Sequence, residues 1–297
     1  MPPVVREFRR SDRDQLTALV NLHVASVLPG VALSTNVVLS QLEREPGELV
    51  IDPWVVQRCC LVAVDDDAIV GATLLLRFGD GPEIADGYRA AAEIRWLVVA
   101  PSSTSTGTEL LAAAVERARA WQPTVIHLDG FLPAPGCYGI PDSWPHIRTL
   151  VTSAGFVGPT RTEAVLAARC EDLLGHRIEG AQVRRTVGAL GARLDLVHPD
   201  GPLGYIEVGE IDQSLARSSA AATWTDVGNL FATAPDQLEV VMPALLSAAA
   251  EWLMLGGIDR LIDYHAEDVH PPEYLAVLHK LGFRVLSTNE RGWTLRP

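Results

Sequence analysis

Lysine is nearly missing from this chain: of its 24 basic residues only Lys280 is one, a bias that looks more like codon usage than chemistry. No stripe of basic charge is present, and 37 acidic residues set the formal net charge at -13. Such a surface repels a phosphate backbone, so nucleic acid is not an expected partner, whereas a cationic acceptor is favoured electrostatically. Cysteine is scarce as well. Cys59, Cys60, Cys137 and Cys170 have neither C-x-x-C nor Cys/His spacing, which excludes a disulfide framework or a zinc site on sequence grounds. No apolar run reaches the ~20 residues that span a bilayer. The nearest, Ala244 to Ile258, is broken by Glu251, and the opening MPPVVREFRR has no apolar core like that of an export signal. The expectation is a cytoplasmic protein with no membrane partner. Nucleophile-elbow and H-E-x-x-H patterns are absent too, and His265, Glu267, Asp268 and His270 lack metal-ligand spacing, so no metal is expected.

What is present is a long internal repeat. The 297 residues are 48% hydrophobic and fit two ordinary domains. Gly71 and Gly204 lie 133 positions apart, as do Glu93 and Asp226; Pro101 and Pro235 are 134 apart, and Gly155 and Gly282 are 127 apart. Each half runs from a hairpin through an apolar strand, a helix and a second strand to a helix closed by Gly-Phe. In the first half a strand over 4–10 precedes a helix opened by Ser11 and Asp14, and a second helix starts at Ser34. A hairpin turns at Asp65-Asp66-Asp67, strands cover 92–100 and 124–131, and helices cover Gly107 to Trp121 and 145–154. The second half offers only one helix, near 178–188, before its hairpin, so its N-terminal part is shortened. The fold class is α/β with a mixed sheet in an α+β arrangement, in two tandem domains, 1–170 and 171–297.

The strand ending Val-x-Pro before a helix, and the helices closed by Ala154-Gly155-Phe156 and Leu281-Gly282-Phe283, resemble the GCN5-related N-acetyltransferase (GNAT) family. Two copies cover nearly the whole chain, like the actinobacterial tandem-GNAT proteins. The resemblance implies an N-acyltransferase using acetyl-CoA or another acyl-CoA, with direct transfer to a small, cationic amine; a homodimer is allowed for. It places pantetheine on the strand edge Leu97, Val98 and Val99, and the diphosphate on the loop and helix start at Ser105, Thr106, Gly107 and Thr108, where unpaired N–H groups and the helix dipole favour anions. It makes the strand carboxylates Glu93 and Asp226 bases. The family's acid, a tyrosine four residues before the closing glycine, is replaced by Val151 and Leu278; Tyr138 is the substitute, with Tyr274 and His279 behind it. The Pro/Gly-rich loop 131–145 is expected to build the acceptor site with His127, Asp129 and Trp144, the first two sharing a strand face as a proton-handling pair.

Both halves depart from the family's glycine-rich loop. The first has one glycine and no arginine, Thr106 with Glu109 reads as a capping box, and Glu109 would stand beside a phosphate. The second, Asp236 to Pro243, has two acids and no glycine, with Pro243 reading as the first helical residue. Two alternatives therefore stay open: a catalytically silent tandem-GNAT binding protein with degenerate CoA loops, and a GNAT fold turned to other chemistry.

Overall fold

The computed structural model describes residues 3–43, 54–189, 191–209 and 223–297. The chain forms two compact units: Met1–Thr162 with Asn289–Pro297, and Glu163–Thr288. The last nine residues thus group with the first unit, although the sequence repeat assigns them to the second copy.

The first unit opens with β1 (Val4–Glu7), α1 (Arg13–Val27) and α2 (Thr35–Leu42). Ser34 caps α2 as expected, through Oγ to the Val37 N–H. The residue at the N-cap of α1 is Asp12 and not Ser11; its carboxylate makes no cap bond to α1 and instead reaches back to the Arg9 N–H at 2.8 Å and the Arg6 guanidinium at 2.6 Å. The hairpin β2 (Val55–Asp65) and β3 (Ala68–Phe78) turns on Asp66 and Asp67, both left-handed (φ 45° and 66°), as a two-residue primed turn requires. β4 (Ala92–Val99), α3 (Thr104–Arg119) and β5 (Ile126–Leu128) form the crossover. The short β6 (Ile140–Pro141) and α4 (Pro145–Ser153) follow. The sheet order is β1-β2-β3-β4-β5-β14, with only β4 and β5 parallel. β14 is Trp293–Leu295, the end of the chain; Trp293 sits opposite Leu128 and is 4% exposed.

The second unit contains β7 (Arg161–Arg169), β8 (Gln182–Val187), β9 (Ala192–His198), β10 (Gly201–Val208), β11 (Trp224–Ala232), α5 (Leu238–Leu255), β12 (Arg260–His265), α6 (Pro272–Lys280) and β13 (Arg284–Arg291). Its strands run β13-β7-β12-β11-β10-β9-β8. The strand beside β12 is β7, supplied by the middle of the chain, as the strand beside β5 is supplied by its end. The helix read near 178–188 is instead the edge strand β8. All six of its residues are exposed, so no apolar face exists for a helix to bury. Pro243 lies inside α5, not at its start. α5 packs Leu238, Val241, Met242, Leu245, Leu246, Ala249, Ala250 and Leu253 into the core, each large apolar side chain contributing about 1.5–3 kcal/mol. Pro235–Leu255 is also long and apolar enough to cross a membrane, but half of its apolar window is buried in the protein.

The repeat is exact in one motif. α4 ends with Gly155 N–H bonded to Thr152 O and Phe156 N–H to Val151 O; α6 ends with Gly282 to His279 and Phe283 to Leu278. Both glycines are left-handed (φ 86° and 87°), the geometry of a Schellman cap.

Candidate functional site

β4 pairs with β5 only over Ala92–Ile94. Opposite β3 the register slips between Leu74 and Leu75, leaving Arg95 as an extra residue on β4. A bulge of this kind kinks and twists a strand, so β4 parts from β5 beyond it. Ala100 N–H bonds to Val70 O on β3, which by alternation turns Val98 toward β3 and Leu97 and Val99 toward the parting. Of the three edge residues read from sequence, two therefore face the gap and Val98 does not.

The gap is closed at Val99 by side chains. His23 Nε2, on α1, accepts the Val99 N–H at 3.3 Å, and His146 Nε2, on α4, bonds to Val99 O at 2.9 Å. The Trp144 ring stands edge-on to His23 with centroids 5.0 Å apart, and its Nε1–H donates to Ser26 Oγ at 2.8 Å. Burial among these groups pushes the His23 imidazole down to about 4, so it is neutral and able to accept. Trp144 is 3% exposed: it packs this plug, and it offers no surface to an acceptor as the sequence reading had placed it.

At the start of α3 the first helical donor to find a partner is Gly107 N–H, bonded to Ser103 O at 2.9 Å. The N–H groups of Thr104, Ser105 and Thr106 have no backbone acceptor among the described residues, and Thr104, Ser105 and Thr108 are exposed. Thr106 is the third helical residue, not a cap, so the capping box with Glu109 does not form. Gly107 faces inward, where a Cβ would come within 2.8 Å of Leu150 and 2.9 Å of Val99. It lets the helix close on the strand and α4; it is not a phosphate contact.

Before the bulge lies a buried ionic cluster. Glu93 is 2% exposed, and burial above all, with Asp129 adding repulsion, raises its carboxyl against the weaker pull of Arg95. Arg95 Nη1 is 3.4 Å from Glu93 Oε2, and its guanidinium lies 4.6 Å over the Phe131 ring. His127 is the parallel-strand partner of Glu93. The expected His127–Asp129 pair is not made: His127 Nε2 bonds to Gly87 O at 2.8 Å and stacks on Tyr88, while Asp129 takes Arg291 Nη2 at 2.5 Å and the Gly292 N–H at 3.0 Å. Arg291 also lies 4.7 Å over the Tyr138 ring, and Tyr138 bridges to Phe131. Glu93, His127, Asp129 and Tyr138 thus share one neighbourhood. Arg95 and Arg291, which organise it, carry no sequence signal: Arg291 arrives from the far end of the chain. The loop 131–138 is a closed turn, Leu132 N–H to Cys137 O, with Leu132, Ala134 and Cys137 buried.

The second unit repeats the bulge. Between Glu207 and Val208 the register slips at Gly228 on β11, and β11 pairs in parallel with β12 only over Trp224–Asp226. Beyond the bulge Gly228, Asn229 and Phe231 are exposed, so this edge is open. Asp226 accepts from Tyr264 Oη at 2.8 Å. Asp263, unremarked in the sequence reading, is buried, accepts from Tyr274 Oη at 2.8 Å, and is raised by desolvation to about 7. Tyr274, whose phenol is pushed well above its ordinary value by burial, stacks on His270 at 4.5 Å.

The fold recurs in solved structures. The chain is similar to a tandem GNAT protein from the clavulanic acid biosynthesis pathway, with TM-score 0.67 and 16% identity over 99% of this chain and 98% of that one. The fold is that of the tandem GNAT proteins. It is likewise similar to a GCN5-related N-acetyltransferase from Sphaerobacter thermophilus, with TM-score 0.63 and 14% identity over 99% and 96% of the two chains. A glucosamine N-acetyltransferase region of a fungal multi-domain β-N-acetylglucosaminidase aligns over 98% of this chain and 38% of its own, with TM-score 0.64 and 14% identity. No family model and no curated protein matches the chain. Against the acyl-CoA that the tandem GNAT fold implies, the first unit fits at one end only. The three free N–H groups of α3 suit a diphosphate, while the Val99 edge, already bonded to His23 and His146, is not free for pantetheine amides.

Proposed function

We propose that this chain is an acyl-CoA-dependent N-acyltransferase that passes its acyl group directly to a small amine, with the first unit as the working site. The observation that carries this reading is Glu93: a buried carboxylate with a raised pKa, two residues before the strand bulge and beside the parting strands. A base whose pKa is moved toward neutrality is suited to take the proton of an ammonium acceptor. Bound acyl-CoA would supply a thioester carbonyl open to attack. Tyr138, its ring held under the Arg291 guanidinium, is the proton donor within the same neighbourhood. Glu93 and Asp129 are each faced by an arginine, so the local charge is balanced. The preference for a cationic acceptor rests on the overall charge of -13.

One observation favours a second reading. The bonds from His23 and His146 to Val99 stand where the donor should lie, as expected of a binding protein that keeps the fold without acyl transfer. Thiol release from acetyl-CoA across a panel of small amines separates the two. An acyltransferase gives turnover that Glu93→Gln lowers by about 100-fold or more, the usual worth of a general base. The absence of turnover with every amine, or wild-type rates in Glu93→Gln for an activity that is found, contradicts the proposal.

A further inference from the structure

The second unit holds a cavity of about 570 Å³ at the end of its sheet opposite the β11–α5 turn, lined by Arg169, Arg260, Lys280, Arg284, His176 and Trp224. That size is ordinary for a small-molecule site. Its charge is not ordinary for this chain: four of 24 basic residues, the one lysine included, meet in a protein of net charge -13, and among the described residues Asp172 is the only acid in the lining.

The sheet itself assembles the cluster. Arg169 lies directly opposite Arg260 across the antiparallel β7–β12 pair, and Arg260 is in turn beside Trp224 across the parallel β11–β12 pair. Like charges directly opposed on neighbouring strands are unfavourable unless something neutralises them. Glu171, Asp259 and Glu239 do so from outside the lining, pairing with Arg169, Arg260 (3.3 Å) and Lys280 (3.6 Å). Those pairs are exposed or, at Arg260, half-exposed, and so weak enough to be exchanged for a ligand. Arg284 has no ion-pair partner among the described residues. The ring of Trp224, with Ala167, Ala168, Leu281 and Leu286, supplies an apolar wall.

We propose that this cavity binds a small organic polyanion, its phosphate or carboxylate groups held by Arg260, Arg284, Lys280 and Arg169 and its body packed against the ring of Trp224. The site is separate from the proposed acyl-transfer site, does not depend on that reading, and makes the second unit a ligand-binding module in its own right. Arginine suits the task because its planar fork grips either oxyanion bidentately.

The test is calorimetric titration of the full chain at low ionic strength with inorganic pyrophosphate and, separately, with citrate. One-to-one binding of at least one probe is expected, weakening as salt is added. Pyrophosphate alone identifies a phosphate ligand, and citrate alone a carboxylate. The double variant Arg260→Gln with Arg284→Gln should bind at least about tenfold more weakly while keeping its urea midpoint. Should that variant fail to fold, Trp224→Phe serves instead, and should lose the probe-induced fluorescence change. Failure of both probes to bind at millimolar concentration, or unchanged affinity in the folded variant, overturns the proposal.

Discussion

Arg95 and Gly228, the bulge residues of β4 and β11, lie 133 positions apart and do the same thing: each ends a three-residue parallel pairing and starts the parting of two strands. The bulge is thus the structural unit that the repeat preserves, although the two residue types share nothing. Deleting Arg95 would keep the Leu75–Ile94 and Leu74–Trp96 pairs and the face of every residue from Trp96 to Val99, while removing the extra residue that lets β4 part from β5. Trp96 stays buried, so a loss of only about 1–3 kcal/mol is expected in urea denaturation, while acetyl-CoA binding, which needs the parting of the strands, should be lost.

Gly107→Ala weighs helix propensity against packing. The gain of about 1 kcal/mol for replacing a helical glycine is opposed by contacts of 2.8 and 2.9 Å with Leu150 and Val99, and overpacking of this kind costs about 1–3 kcal/mol. A net loss of roughly 1 kcal/mol is expected in the unfolding midpoint, contrary to the stabilisation that propensity alone predicts.

Asp263 should leave a signature in stability against pH. Its folded carboxyl is raised to about 7, above the ordinary value near 3.9, so the folded state holds the proton more tightly. Its contribution is complete below about pH 4 and is lost as pH rises through about 7. The loss is of the order of 4 kcal/mol, and Asp263→Asn should flatten that part of the profile in urea midpoints taken from pH 4 to 8.

Removing Asn289–Pro297 should unfold the first unit and not merely trim a tail. The segment supplies β14 beside β5, buries Trp293, and carries the Arg291 fork on Asp129. Early unfolding of the first unit's amides in hydrogen exchange is the expected result; full protection of those amides in the truncated chain contradicts it.

What the sequence revealed follows from how local each signal is. The Asp66-Asp67 turn, the Ser34 cap and the twin Gly-Phe helix ends are set by neighbours within six residues, and all were legible. The exchange of β7 and β14 between copies was not, since nothing in RGWTLR says which sheet it joins. The helix expected near 178–188 became β8 because a partner strand overrode local propensity. In the candidate site, Glu93 stood out through the repeat, whereas the plug at Val99 joins residues 76 and 47 positions away along the chain, which no local pattern signals.

The donor-end account is tested most directly by titrating acetyl-CoA into the wild-type chain and into His146→Ala by calorimetry. Freeing the Val99 carbonyl opens the strand edge, and the variant is expected to bind at least about tenfold more tightly, the worth of one good hydrogen bond regained. Binding by neither protein at millimolar acetyl-CoA would contradict the assignment of the first unit as an acyl-CoA site.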